Sequence, residues 1–299
     1  MDHQETLCDA GLKRPYDAVI VGSGPGGATL ALRLGQRGMR VLVVEQGDYL
    51  SIPRGSENEP VGKFIGHVMN GRDKALTFVG GRSKFYGAAL YRMRESDFRE
   101  VEHETGVSPA WPITYDDLEP YYEQAEILFR VHGAPDGDPS DPPRGKPFPS
   151  PPIPHGPIVS DMVRRLETSG TRIAAIPVGL DYGAGGSCVL CSTCDGHYCS
   201  LDAKMDAETA AMRPALATGN VHLATHTECL REETSRDGTR VTGVVLRRNG
   251  AEHVVNAPVV AVCAGLPGSA GLLRRSRNDR HQEGLGNRGG ALGRYLAGH

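Results

Sequence analysis

"YDAVIVGSGPGGATLALRLGQRGMRVLVVEQGD", residues 16–48, decides the fold. Ala18 to Val21 is a short apolar, β-branched run of the kind that forms a parallel strand buried on both faces. Gly22, Gly24 and Gly27 follow as G-x-G-x-x-G, placed where a strand turns into a helix. The first glycine permits the tight turn, the second lets backbone approach a pyrophosphate, and the third lets the helix pack closely on the sheet. Ala31 is small where the helix meets the sheet, Gly38 stops the helix, and Val41 to Val44 is a second buried strand. Glu45 closes that strand about 20 residues after the glycines, where a carboxylate accepts both ribose hydroxyls. A carboxylate there disfavours a 2′-phosphate, so the unit predicts a dinucleotide other than NADP. Ser23 and Gly26 lie within the same turn and belong to the expected site.

Outside that unit, the composition is ordinary. The chain has 299 residues, 39% hydrophobic and 23% charged, with a net charge of −3. That balance gives no electrostatic reason to bind nucleic acid or an anionic membrane surface. No apolar run approaches the roughly 20 residues that span a bilayer, and the first residues lack a basic and then apolar leader. The expected location is cytoplasmic, where thiols stay reduced. The eleven histidines are scattered, and none falls in H-E-x-x-H; no G-x-S-x-G or P-loop signature is present either. A pyridine-nucleotide-linked flavoprotein reductase would show a second G-x-G-x-x-G opening a strand–helix–strand unit, and no second unit of that kind is read in the sequence.

A second glycine-rich stretch, "FVGGRSKFYGAALYRMRESDF" (78–98), has no strand–helix–strand context. Its small residues let backbone approach something flat or phosphorylated. With it the chain resembles the glucose–methanol–choline (GMC) oxidoreductases, in the sugar-oxidising branch of gluconate dehydrogenase and pyranose oxidase type. In that family an N-terminal G-x-G-x-x-G with a glutamate is followed by a Gly-Gly segment beside a flavin. "SPAWPITYDDLEPYYEQAEILFRVHG" (108–133) is similar to the segment that opens the family's substrate domain. "NVHLATHTECLREE" is similar to the strand whose backbone meets the adenine, and "VVAVCAGLPGSAGLLRRS" (259–276) to the family's second signature. "GLGNRGGALGRYLAGH" resembles the stretch just before the family's catalytic half.

The resemblance implies FAD and a Rossmann-like α/β fold with an inserted α+β substrate or cap region. It implies an FAD-binding domain over 14–110, the insertion over 111–213 and a return of the FAD-binding domain over 214–299. It adds Gly80, Gly81, Ser83, Tyr86, Gly87, Ala88, Cys229, Ala264 and Gly265 to the cofactor-binding residues. Departures are Ala270 and Arg277, where the family usually has Pro and Gly. Some members attach flavin covalently through a histidine of the Gly-Gly segment; the matching position here is Phe85, so FAD is expected to be non-covalent.

The resemblance also implies hydride transfer from the CH–OH group of a sugar, glycoside, polyol or natural-product alcohol to flavin N5. The electron acceptor is left open. The family's catalytic pair, a histidine followed by a second histidine or an asparagine, lies beyond the point matched by His299, so no catalytic residue is assigned. The chain is expected to be the N-terminal part of a longer enzyme, binding FAD weakly and inactive alone. The alternative is a non-catalytic FAD-binding fragment, or one half of a split enzyme whose partner chain supplies the rest.

Between these parts, residues 134–157 contain ten prolines and read as an extended excursion. "IVSDMVRRLETSG" and "AKMDAETAAMRPAL" are predicted helical, and the segment from Val221 is predicted to alternate short strands with turns at "RDG" and "RNG". "RRSRNDRHQ" (274–282) is basic but short and reads as a solvated loop. "SCVLCSTCDGHYC" places Cys188, Cys191, Cys194 and Cys199 within twelve residues. Its spacing leaves three readings open: a bound zinc or iron–sulfur cluster, reduced structural thiols, or disulfides.

Overall fold

The computed structural model describes residues 7–50, 77–104, 106–135 and 138–295. The last residues of the glycine-rich stretch that ends at His299 lie outside them. The chain divides into two compact units. One comprises Met1–Phe85, Gly196–Tyr198 and Asp206–His299, and the other Tyr86–Asp195 and Cys199–Met205.

In chain order, the first elements are β1 (Ala18–Val21), α1 (Pro25–Gln36) and β2 (Val41–Val44). They are followed by β3 (Val101–His103), β4 (Gly106–Ser108), α2 (Tyr115–Leu128), β5 (Val131–His132), α3 (Pro157–Thr168) and β6 (Val178–Gly179). A π-helical turn (Glu208–Met212) runs into the short α4 (Arg213–Ala217). Then come β7 (Val221–Ala224), β8 (Glu228–Thr234), β9 (Val241–Arg248), β10 (Ala251–Asn256), β11 (Val259–Val262) and α5 (Gly265–Arg275).

The first unit is built on a four-stranded parallel sheet of order β11-β1-β2-β7. Every residue of β1 and β2 is buried, as a parallel strand covered on both faces requires. Val19, Val21, Leu42 and Val44 join Leu246, Val244, Val255 and Leu272 in one core. Each such fully buried side chain contributes about 1.5–3 kcal/mol. Gly35 of α1 lies close to β7, where an added Cβ would come within 2.6 Å of the Val221 side chain. The antiparallel sheet β10-β9-β8 carries the predicted turns: Asn249 (φ 51°) and Gly250 (φ 77°) form the two-residue β9–β10 hairpin.

Glu232 of β8 is 6% exposed, and its Oε1 has no hydrogen-bond partner. Burial raises its pKa above the usual carboxylate range. A carboxyl whose folded pKa lies above the unfolded value costs stability as pH rises, and costs nothing once both states are protonated. Glu232→Gln should therefore raise the melting temperature near about pH 7.5 and leave it unchanged near about pH 4. Equal gains at the two pH values, read by thermal unfolding, would contradict the assignment.

The second unit centres on α2, whose N-terminus is capped by Thr114 and Asp117 in reciprocal hydrogen bonds. On it sits a buried Arg92, which donates from Nε and Nη2 to the two oxygens of Glu126 at 2.8 Å each and from Nη1 to the Tyr115 hydroxyl at 2.8 Å. The helix α3 buries none of its residues. Among the described residues no helix is long and apolar enough to cross a membrane.

Candidate functional site: a glycine cradle at the strand ends

At the carboxyl end of β1 the chain turns at Gly22, with φ of 100°, a conformation a Cβ would strain. The end of β11 backs onto the same turn: an added Cβ on Gly22 would meet the Cys263 carbonyl oxygen at 2.5 Å. Ala264 and Gly265 continue from there into α5. Gly27 packs so tightly that an added Cβ would stand 2.0 Å from the Gly22 carbonyl oxygen. Gly24 and Gly26 have nothing within 4 Å of an added Cβ. They face open space, which is what close approach of a pyrophosphate demands.

Gly24 is also the N-cap of α1, with extended backbone, no side-chain cap and no acidic residue in the first turn. The first-turn N–H groups and the positive end of the helix dipole are left for an anion.

The Gly-Gly segment closes on this loop. Gly80 and Gly81 both adopt positive φ, 89° and 58°, and an added Cβ on Gly81 would come 3.2 Å from the Gly24 Cα. One hydroxyl joins three stretches of chain here: buried Ser23 Oγ donates to Glu45 Oε2 at 2.6 Å and accepts from Gly80 N at 3.2 Å. Ser23 N donates to the same Glu45 oxygen and Gly47 N to the other. Oε2 thus accepts twice within the protein, and Oε1 keeps a second lone pair for a ribose hydroxyl. Further on, Ser83 Oγ donates to the Gly80 carbonyl at 2.6 Å and accepts from Ala207 N at 2.9 Å.

Beneath that turn lies a group the sequence did not reveal. Lys84 is 1% exposed, with its ammonium 3.0 Å from Asp206 and 2.5 Å from Glu208. Burial pulls the Lys84 pKa down, but the two carboxylates outweigh it and hold it above the ordinary value. Arg213 pairs with Glu208 at 2.7 Å, and Tyr198 places its ring 5.7 Å from the ammonium. Thr209 Oγ1, in the π-helical turn, is buried without a partner. The signal available in the sequence was one lysine inside a glycine turn and two acids spaced by two, which is too common a pattern to read.

Gly22, Ser23, Gly24, Gly26, Gly27, Glu45, Gly80, Gly81, Ser83, Ala264 and Gly265 thus belong to the first unit and build or flank this cradle. Cys229 lies in the same unit, but its thiol is buried in the core, and burial with the neighbouring Glu232 pushes its pKa up to about 12. Any contact with a nucleotide falls to its backbone. Tyr86, Gly87 and Ala88 belong to the second unit. There Lys204 Nζ donates to the Tyr86 carbonyl at 2.8 Å and to the Cys194 carbonyl at 2.9 Å.

The four clustered cysteines are also in the second unit, and all are free thiols. Among the described residues no three Cys, His, Asp or Glu side chains form a group able to hold a metal ion. The zinc and iron–sulfur readings of Cys188, Cys191, Cys194 and Cys199 therefore have no assembled site behind them. Positive φ at Leu190 (55°) and Ser192 (60°) accompanies an exposed Cys191, which hydrogen-bonds Thr193, whereas Cys194 is partly buried. The Thr193 hydroxyl lowers the Cys191 pKa, and burial raises that of Cys194.

The family model for GMC oxidoreductases matches residues 16–299. The 6'''-hydroxyparomomycin C oxidase of Streptomyces lividus is 33% identical over 310 residues, covering 98% of this chain and 56% of the relative. The paromamine 6'-oxidase of Streptomyces fradiae is 31% identical, covering 95% and 53%. The 2-methyl-1,2-propanediol dehydrogenase of Mycolicibacterium austroafricanum is 27% identical, covering 95% and 55%. Pyridoxine 4-oxidase from Mesorbium loti shares the fold, with a TM-score of 0.54 at 19% identity over 87% of this chain and 52% of that one. The chain spans about half the length of the curated relatives it matches. With its glycine turn, its glutamate, its Gly-Gly segment and its second signature all in family order, the chain belongs to the GMC oxidoreductases.

Proposed function

We propose that this chain holds the adenosine diphosphate part of FAD in the glycine cradle and serves an oxidoreductase acting on CH–OH groups. The observation that carries the reading is the Ser23 hydroxyl, which ties the G-x-G loop, Glu45 and Gly80 together, with open space at Gly24 and Gly26. In this reading the α1 N–H groups bind the pyrophosphate, Glu45 accepts the ribose hydroxyls, and the left-handed Gly80–Gly81 turn keeps side chains away from the cofactor. FAD, when bound, supplies two-electron oxidation of an alcohol. Lys84 and Ser83 orient the Gly80 turn and carry no proton of the reaction. The substrate class is a sugar, glycoside or polyol alcohol, on the strength of relatives named for paromamine, a hydroxyparomomycin and a propanediol.

A second reading keeps the cradle but places the base that takes the alcohol proton on another segment or chain. It is favoured by the match to about half of each relative's length. One experiment separates the two. The protein is loaded with FAD and mixed anaerobically with a panel of sugars, glycosides and diols, and the visible flavin absorbance is followed. Bleaching supports the first reading; bound flavin that no alcohol bleaches supports the second. Acid precipitation of the same sample should leave the flavin in solution, because Phe85 cannot form the histidyl link. A yellow pellet would contradict non-covalent binding.

A further inference from the structure

The basic run 274–282 takes no part in the cradle, yet the fold gathers its arginines. Arg274 and Arg275 occupy the last turn of α5, and Arg277 follows after the buried Ser276. Ser276 Oγ accepts from Glu232 N at 2.8 Å, which stitches the end of α5 to β8. Arg275 reaches across the same seam, with Nε 3.3 Å from the Leu230 carbonyl. Between these walls is an open cavity of about 520 Å³, lined by Leu230, Arg231, Arg274, Arg275 and Arg277.

Arg231 pairs with Glu233 at 2.9 Å. Among the described residues Arg274 and Arg277 have no hydrogen-bond or ion-pair partner. Basic residues in the last turn of a helix complement its dipole. That accounts for Arg274 and Arg275 but not for the convergence of Arg231 and Arg277 on the same space. Four guanidinium groups around one cavity, against a single glutamate, leave an excess of positive charge in a chain whose net charge is −3. Like charges gathered this closely repel, and a bound anion removes that repulsion.

We propose that this cavity binds a small polyanion carrying two or more phosphate groups, such as an organic diphosphate or triphosphate. Guanidinium forks match phosphate oxygens two at a time. The excess charge calls for more than one phosphate, and the volume lies within the range of small-molecule sites, about 300–1,000 Å³. Leu230 offers the one apolar wall. The site is separate from the cradle: Gly265, beside the glycine turn, begins α5, and the arginines end it about 15 Å away. The inference stands apart from the flavin reading, since neither the cradle nor its ligand enters it.

The test is a calorimetric titration of the full chain with sodium tripolyphosphate at low ionic strength, run without FAD and in the Gly24→Asp background so that the cradle does not compete. The expected result is one saturable site that weakens as salt is added, with a rise in melting temperature. Arg274→Glu with Arg277→Glu should weaken binding by about tenfold or more, while Arg164→Glu on α3 leaves it unchanged. Arg277→Gln, which removes a side chain with no partner to lose, gives the same reading if the double variant does not fold. Absence of saturable binding, or binding undiminished in these variants, would overturn the proposal.

Discussion

Lys84→Met should lower the unfolding free energy by about 3–5 kcal/mol, the range for removing one partner of a buried charge pair. The side chain is 1% exposed and answers two carboxylates, Asp206 and Glu208, that are themselves buried. Methionine fills the same volume, so the loss reports charge rather than packing. Asp206 would keep its hydrogen bonds from Glu208 N and Thr209 N, and Glu208 its pair with Arg213, but neither gains a replacement for the ammonium. Adding Asp206→Asn and Glu208→Gln should recover part of the loss, because it removes the uncompensated charges. Urea unfolding measures both effects. A loss below about 1 kcal/mol would place the triad among interactions of surface strength.

Gly24→Asp should separate folding from cofactor binding. The backbone there is already extended in the manner of an N-cap, and an added Cβ meets nothing within 4 Å. Aspartate would cap α1 and restrict the unfolded chain, so stability should hold or rise by up to about 1 kcal/mol. The same carboxylate would stand before the N–H groups that the reading assigns to the pyrophosphate. FAD affinity should fall by about a hundredfold, equivalent to about 2.7 kcal/mol. Thermal unfolding and flavin titration moving in opposite directions is the signature. A variant that binds FAD as well as the parent would mean the phosphates lie elsewhere.

The sequence could be read furthest where one residue type meets one backbone demand. Val-Ile-Val followed by glycines predicted β1, the turn and α1, because only glycine tolerates φ of 100° at Gly22 and a 2.0 Å approach at Gly27. The paired glycines at Gly80 and Gly81 were legible for the same reason, as were the hairpin residues Asn249 and Gly250. What stayed hidden depends on residues far apart in the chain. Ser23 meets Gly80 across a separation of 57 residues, and Lys84 meets Asp206 across 122. No local pattern announces such a pair. The cysteine spacing suggested a ligand set, but the local turns at Leu190 and Ser192 are not encoded in spacing, and among the described residues no three potential ligands form a group able to hold a metal ion.

The central claim is that the cradle between Gly22, Gly24, Glu45 and Gly80 holds a flavin dinucleotide. Titration of the protein with FAD, followed by flavin fluorescence with ADP as competitor, tests it most directly. Saturable one-to-one binding, displaced by ADP and lost in the folded Gly24→Asp variant, is the result the structure predicts. A folded protein that does not bind FAD, or binds it without regard to ADP and Gly24, would contradict it.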